Sequence, residues 1–166
     1  MPTTLEPGTL EVIANTPAVL RALTASLPDA ITETRDGEGW SARDVVAHLL
    51  DRWPSQHSRV HKMLAEANPI ILDEPEVAGL EASGLRHRPL AWLLDEFERA
   101  RAAEAATFRA LSASDLSRPG QHSVAGPITI AELLNHVAYH DLIHVQQIAG
   151  TLALVPNAGR GAFGMF

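Results

Sequence analysis

Apolar residues recur at intervals of three and four along four stretches of the chain, and this pattern predicts four long helices. The first runs from about Thr9 to Leu27, with Leu10, Ile13, Ala14, Leu20, Leu23 and Leu27 on one side. Thr16-Pro17 interrupts it. Either the helix kinks there, or Thr16 caps a new helix with Pro17 at its first position. The second helix follows Ser41, an N-cap with Asp44 three residues on as an acidic variant of the capping box. Trp40 and Val45 are spaced as its hydrophobic staple. Its stripe is Ala42, Val45, Val46, Leu49 and Trp53, and beyond Pro54 it continues, kinked, through Val60, Met63 and Leu64. The third helix runs from Pro89 to about Leu111 on Leu90, Leu93, Leu94, Phe97, Phe108 and Leu111. The fourth opens on a capping box of Thr129 and Glu132, with Ile128 and Leu133 as staple. Gly150 stands where a left-handed C-cap needs glycine, so the helix is expected to end there.

The connections are polar. Asn68 to Arg88 reads as a long loop with a run of acids, Asp73, Glu74, Glu76 and Glu81; a connection of that length is usually functional or mobile. Glu74 or Glu76 swinging in as part of a lid is weighed against a simply solvated loop, and the solvated reading is preferred. Ser112 to Pro127 reads as a second polar loop, and no alternation is strong enough to predict a sheet. The expected architecture is all-α, an up-down four-helix bundle in a single domain over residues 1–166, with a short C-terminal tail.

Composition narrows the chemistry. At 166 residues and 46% hydrophobic content the chain is long and apolar enough to bury a core without staples. It has no cysteine, which excludes disulfides, thiolate metal sites and a cysteine nucleophile, so any metal must be held by nitrogen or oxygen. A net charge of −7, with Lys62 the single lysine, argues against nucleic-acid binding. No apolar run is long enough to span a membrane, and Met1 to Thr9 lacks the features of a signal peptide, so a cytoplasmic protein is expected.

Histidine is the unusual residue, at positions 48, 57, 61, 87, 122, 136, 140 and 144. His136, His140 and His144 are four apart on the fourth helix, where such spacing drifts by only about 40° per step, so they line one stripe. Leu133, Val137, Ile143, Gln147 and Ile148 are expected on the same side, facing the bundle interior. His48 borders the apolar arc of the second helix. Two histidines from adjacent turns and a third from a neighbouring helix make an open site for a divalent metal, with room for water or substrate. A metal-free layer of core histidines is the competing reading, and the spacing alone leaves both standing. His57, His61, His87 and His122 are read as surface or loop residues, and Trp53 and Trp92 as core.

Two segments carry a resemblance. Gly39 to Leu49 resembles the W-S-x-x-D/E-V/I-x-x-H-L segment of the DinB/YfiT-like superfamily, and Leu134 to Ile148 resembles that superfamily's fourth-helix pattern H-x-x-x-H-D/E-x-x-H-x-x-Q-I. The order and separation of the two also fit. The resemblance implies a four-helix bundle holding one divalent metal through His48, His140 and His144; the softness of three imidazoles admits zinc, nickel or iron, with zinc or nickel expected before iron. It places His136 beside the site rather than among the ligands. Asp141 would accept the free N–H of His48 or else pair with Arg52, and Gln147 would hold a metal-bound water or cap a polar layer.

Relatives of this kind include thiol transferases and isomerases that use a low-molecular-weight thiol. The expectation is therefore a metal-dependent enzyme, hydrolase or thiol S-transferase, acting on a small molecule. The alternative is a non-catalytic metal- or ligand-binding bundle. A homodimer is also implied, with the aromatic tail of Phe163, Met165 and Phe166 either at its interface or folded back over the bundle.

Overall fold

The computed structural model describes residues 4–74 and 76–165, with backbone alone at 76–78 and 165. In chain order the elements are α1 (Thr9–Thr24), α2 (Asp29–Thr32), α3 (Ala42–Ala65), β1 (Ile70–Ile71), α4 (Glu76–Ser83), a 3₁₀ turn (Leu85–His87), α5 (Leu90–Arg109), α6 (Ala113–Leu116), β2 (Pro119–His122), β3 (Gly126–Thr129), α7 (Ile130–Ala158) and a 3₁₀ turn (Gly161–Met165). The four predicted helices are α1, α3, α5 and α7, and they form the expected four-helix bundle. Both capping boxes form. Ser41 Oγ accepts from the Asp44 amide at 3.2 Å while Asp44 Oδ2 accepts from the Ser41 amide at 3.0 Å. Thr129 and Glu132 exchange the same pair at 3.2 and 2.7 Å.

Each of α1 and α3 packs on both α5 and α7, so the helices close a ring in the order α1, α5, α3, α7. The consecutive long helices α1 and α3 thus stand at diagonal corners. The core between them holds Leu20, Val45, Val46, Leu49, Trp53, Val60, Met63, Leu93, Leu94, Phe97, Ile130, Leu134, Val137 and Ile148. Burying each of the larger side chains contributes about 1.5–3 kcal/mol. Trp53 is satisfied as well as buried, its indole N–H donating to the Ala100 carbonyl at 3.1 Å.

Two prolines sit inside long helices. α3 runs on through Pro54, as expected. α1 is also one continuous helix through Pro17, so Thr16 does not cap a new one; its hydroxyl donates instead to the Val12 carbonyl at 2.8 Å. Pro17 has no amide to offer the Ile13 carbonyl four residues back. That carbonyl accepts a hydrogen bond from Arg101 Nη1 on α5, at 3.1 Å.

The loops hold more structure than their sequence suggests. The acidic segment contains α4, and the polar one contains α6 and a hairpin. A three-stranded sheet, ordered β1-β2-β3, joins them: β1 runs parallel to β2 (Ile70 opposite Gln121) and β2 antiparallel to β3 (Gly120 opposite Ile128). Its stability comes from backbone pairing and from anchoring on α3. Arg118 donates to the Met63 carbonyl at 2.7 Å and the Glu66 carbonyl at 3.2 Å. A Cβ at Gly120 would lie 3.0 Å from Met63, so glycine lets the strand lie against the helix.

α7 does not stop at Gly150. That residue has an ordinary helical backbone and open space around it, while Thr151 is buried and Leu152 packs on the core, so the apolar stripe carries the helix to Ala158. In the tail Phe163 is 74% exposed and does not fold back over the bundle; Phe166 and the side chain of Met165 lie outside the described residues. Among the described residues no helix is long and apolar enough to cross a membrane.

Candidate metal centre

α3 and α7 bring His48, His140 and His144 together, with one nitrogen of each within 4.8 Å of the others. His48 Nε2 and His140 Nε2 are 3.3 Å apart. Two imidazole nitrogens bound at 2.0–2.1 Å to one tetrahedral ion stand about 3.3 Å apart, so this spacing already suits a shared cation. The rings of His140 and His144 meet edge to face with centroids 4.4 Å apart, and those of His48 and His144 at 4.6 Å. His48 is completely buried. Burial first, then the neighbouring imidazoles and Arg52, pushes both His48 and His140 down to about 3, so both are neutral nitrogen donors at physiological pH.

Support from the surrounding side chains differs among the three. Gln147 Oε1 lies 2.8 Å from His144 Nδ1, which places the proton on Nδ1 and leaves the Nε2 lone pair free. The Nδ1 atoms of His48 and His140 are buried without a hydrogen-bond partner among the described residues. Trp40, expected only as a helix staple, packs its ring 4.7 Å from that of His48 and stacks on His144 at 6.3 Å, forming one wall of the site.

Asp141 is not where the sequence suggested. It is fully buried, but it neither meets His48 nor pairs with Arg52. Arg101 takes both its oxygens, Nη1 to Oδ2 and Nη2 to Oδ1, each at 2.8 Å. The guanidinium lies 4.0 Å from the Trp53 ring centroid and 4.6 Å from that of Phe97. This pair ties the diagonal helices α5 and α7 through the bundle centre, and through Ile13 it reaches α1. Sequence reading missed Arg101, although its place four residues after Phe97 and seven before Phe108 sets it on the apolar stripe of α5. Arg52 instead faces Glu74, Nη1 to Oε2 at 3.5 Å.

Beside the histidines opens a cleft of about 370 Å³, bordered by His140, His136, Arg52, Arg59, Asp73 and His122. His136 is exposed at its wall, with its ring centroid 6.2 Å from that of His140. The stripe therefore runs from the interior to the cleft rather than wholly inward, and Ile143, expected inside, is 42% exposed. Trp92 is also partly exposed, with Arg88 lying over its ring. His122, read as a loop residue, is instead the last residue of β2, and its Nδ1 accepts from the Val124 and Ala125 amides of the hairpin turn at 3.2 Å. Neutral His122 thus carries its proton on Nε2, which faces Asp73 at 4.0 Å.

Residues 13–148 match the family model described as the DinB superfamily. The chain belongs to that superfamily. Two relatives carry the name "putative metal-dependent hydrolase". One, from Oceanobacillus iheyensis, is 31% identical over 119 residues, covering 70% of this chain and 67% of its own. The other, from Halalkalibacterium halodurans, is 28% identical over 146 residues, covering 83% of this chain and 82% of its own. Among solved structures, the fold is shared with YfiT from Bacillus subtilis, described as a probable metal-dependent hydrolase with an unusual four-helix bundle topology (TM-score 0.81, 24% identity, 89% of this chain and 86% of that one). It is shared also with a mycothiol-dependent maleylpyruvate isomerase (TM-score 0.67, 17% identity, 88% of this chain and 63% of that one).

Proposed function

We propose that this DinB-superfamily chain is a divalent-metal-dependent hydrolase of a small molecule, with His48, His140 and His144 as the protein ligands of one zinc or nickel ion. The observation that carries the reading is the meeting of three imidazoles, two of them with nitrogens 3.3 Å apart, at the edge of a cleft. The names of the two relatives support metal-dependent hydrolysis as the reaction class. Among the described residues no fourth histidine or carboxylate joins the three, which favours a catalytic site with a vacancy over a closed binding module. A divalent cation held there supplies Lewis acidity and lowers the pKa of a water or thiol that reaches it.

The remaining work falls to the chain's own residues. Gln147 orients His144, and burial keeps His48 and His140 unprotonated. His136 and His122 stand on the cleft wall, where an imidazole can take up or deliver a proton. Arg52 and Arg59 line the same wall and suit an anionic group on the substrate. A thiol-dependent transfer is the second reading. It draws on the shared fold with the mycothiol-dependent isomerase, and with no cysteine in the chain the sulfur would arrive with a cosubstrate. Homodimerisation belongs to the same proposal, and sedimentation of the full chain against one truncated after Ala158 tests whether the exposed Phe163 takes part.

Elemental analysis of tag-free protein tests the site. His48→Ala and His140→Ala are each expected to hold one equivalent of metal less than wild type while keeping their helical circular dichroism. A metal content in His48→Ala equal to that of wild type, or only trace metal in wild type, overturns the reading.

A further inference from the structure

α3 carries histidines on two opposite sides. His48 and His57 are nine residues apart, which places them about 180° around the helix and about 13.5 Å along it. His48 therefore faces α7, while His57 and, one turn on, His61 face α5. There they meet Glu104. His61 Nε2 lies 2.8 Å from Glu104 Oε2, and His57 Nδ1 lies 3.7 Å from Glu104 Oε1. One ligand atom from each of the three falls within 4.8 Å of the others.

An ordinary ion pair explains only half of this arrangement. It accounts for His61 with one carboxylate oxygen. It leaves His57 Nδ1 buried with no hydrogen-bond partner among the described residues, aimed at the second oxygen from a distance too long for a hydrogen bond. A cation between the nitrogens and the carboxylate satisfies all three groups at once. Two imidazoles and one carboxylate select first-row transition metals over magnesium or calcium, and leave coordination positions for water. Access is direct, because the His61 side chain is 45% exposed, whereas His48 is sealed in the core.

We propose that His57, His61 and Glu104 form a second transition-metal site, separate from the His48 centre, which takes a zinc-class divalent cation and clamps α3 to α5. It does not depend on the chemistry assigned to the first site. The test is zinc stoichiometry by equilibrium dialysis of the tag-free full chain, with magnesium in excess. Wild type is expected to bind two zinc ions per chain. His61→Ala and Glu104→Gln are each expected to bind one, His48→Ala one, and His48→Ala combined with His61→Ala none. In the His48→Ala background zinc is expected to raise the melting temperature, and His61→Ala to abolish that rise. Two equivalents retained by both His61→Ala and Glu104→Gln overturn the second site, whatever His48→Ala does. A zinc-independent melting temperature in His48→Ala overturns it as well, since a clamp on the folded state must stabilise it.

Discussion

Removing either member of the Arg101–Asp141 pair should destabilise the fold, and the two losses should be unequal. Both side chains are buried, joined by two 2.8 Å hydrogen bonds, and far from solvent that could reclaim a lone charge. Breaking such a pair by removing one partner costs about 3–5 kcal/mol, because the survivor is left charged and unpaired. Arg101 has no escape, since a guanidinium does not give up its proton. Asp141 has one: burial already pushes its carboxyl up, against the pull of Arg101 and Thr16, so without Arg101 it takes a proton. Asp141→Asn should therefore cost the full amount, about 3–5 kcal/mol. Arg101→Met should cost less, about 2–3 kcal/mol, mainly the Ile13 carbonyl and the Asp141 carboxyl left unsatisfied.

The double variant Arg101→Met with Asp141→Leu removes both charges and should lie closer to wild type than the sum of the singles, by at least about 2 kcal/mol. Urea unfolding of the metal-free chain at pH 7, followed by far-ultraviolet circular dichroism, supplies the four corners of the cycle. Additive losses, or Arg101→Met costing more than Asp141→Asn, would refute the reasoning. Metal content should be unchanged in folded Asp141→Asn, because this carboxylate braces the bundle rather than a histidine.

Gln147→Leu removes the acceptor that orients His144, and should weaken metal binding by about 10- to 100-fold in a chelator competition titration with helix content intact; an unchanged affinity would deny Gln147 a positioning role. Asp44 caps α3 and faces Arg86 and Arg35. Burial opposes its ionisation, but hydrogen bonds from Arg86 and Ser41 and the charge of Arg35 prevail and hold the carboxyl below its usual range. A carboxyl lowered on folding contributes stability that is present above its unfolded pKa of about 3.9 and is lost as pH falls through the folded value. Asp44→Asn should thus cost about 1–2 kcal/mol at pH 7, and its gap from wild type should close below about pH 4. A gap of equal size at pH 3 and pH 7 in urea titrations would contradict this.

What the sequence made legible was whatever rests on local periodicity and caps. Ser41, Thr129 and the apolar stripes mark the starts of α3, α5 and α7 nearly to the residue, and the resemblance carried by the two motif segments singles out His48, His140 and His144, which the structure brings together. Non-local features were not visible. β2 is Pro-Gly-Gln-His, with no apolar alternation, and it exists because β1, β3 and Arg118 present partners to its backbone. Gly150 looked like a stop because the packing of Thr151 and Leu152 cannot be seen in one helix alone. Asp141 found Arg101, 40 residues away, because α5 and α7 oppose each other across the ring, an order that no single helix encodes.

The proline in α3 has a mechanical consequence. Pro54 falls between His48 and His57, and with no amide it leaves the Leu50 carbonyl without its intrahelical partner. A helix missing that hydrogen bond bends more easily at the turn concerned, so its two lengths can tilt a little against each other. A small adjustment of the length that carries His48 would be absorbed at that turn and need not disturb the length that carries His57 and His61.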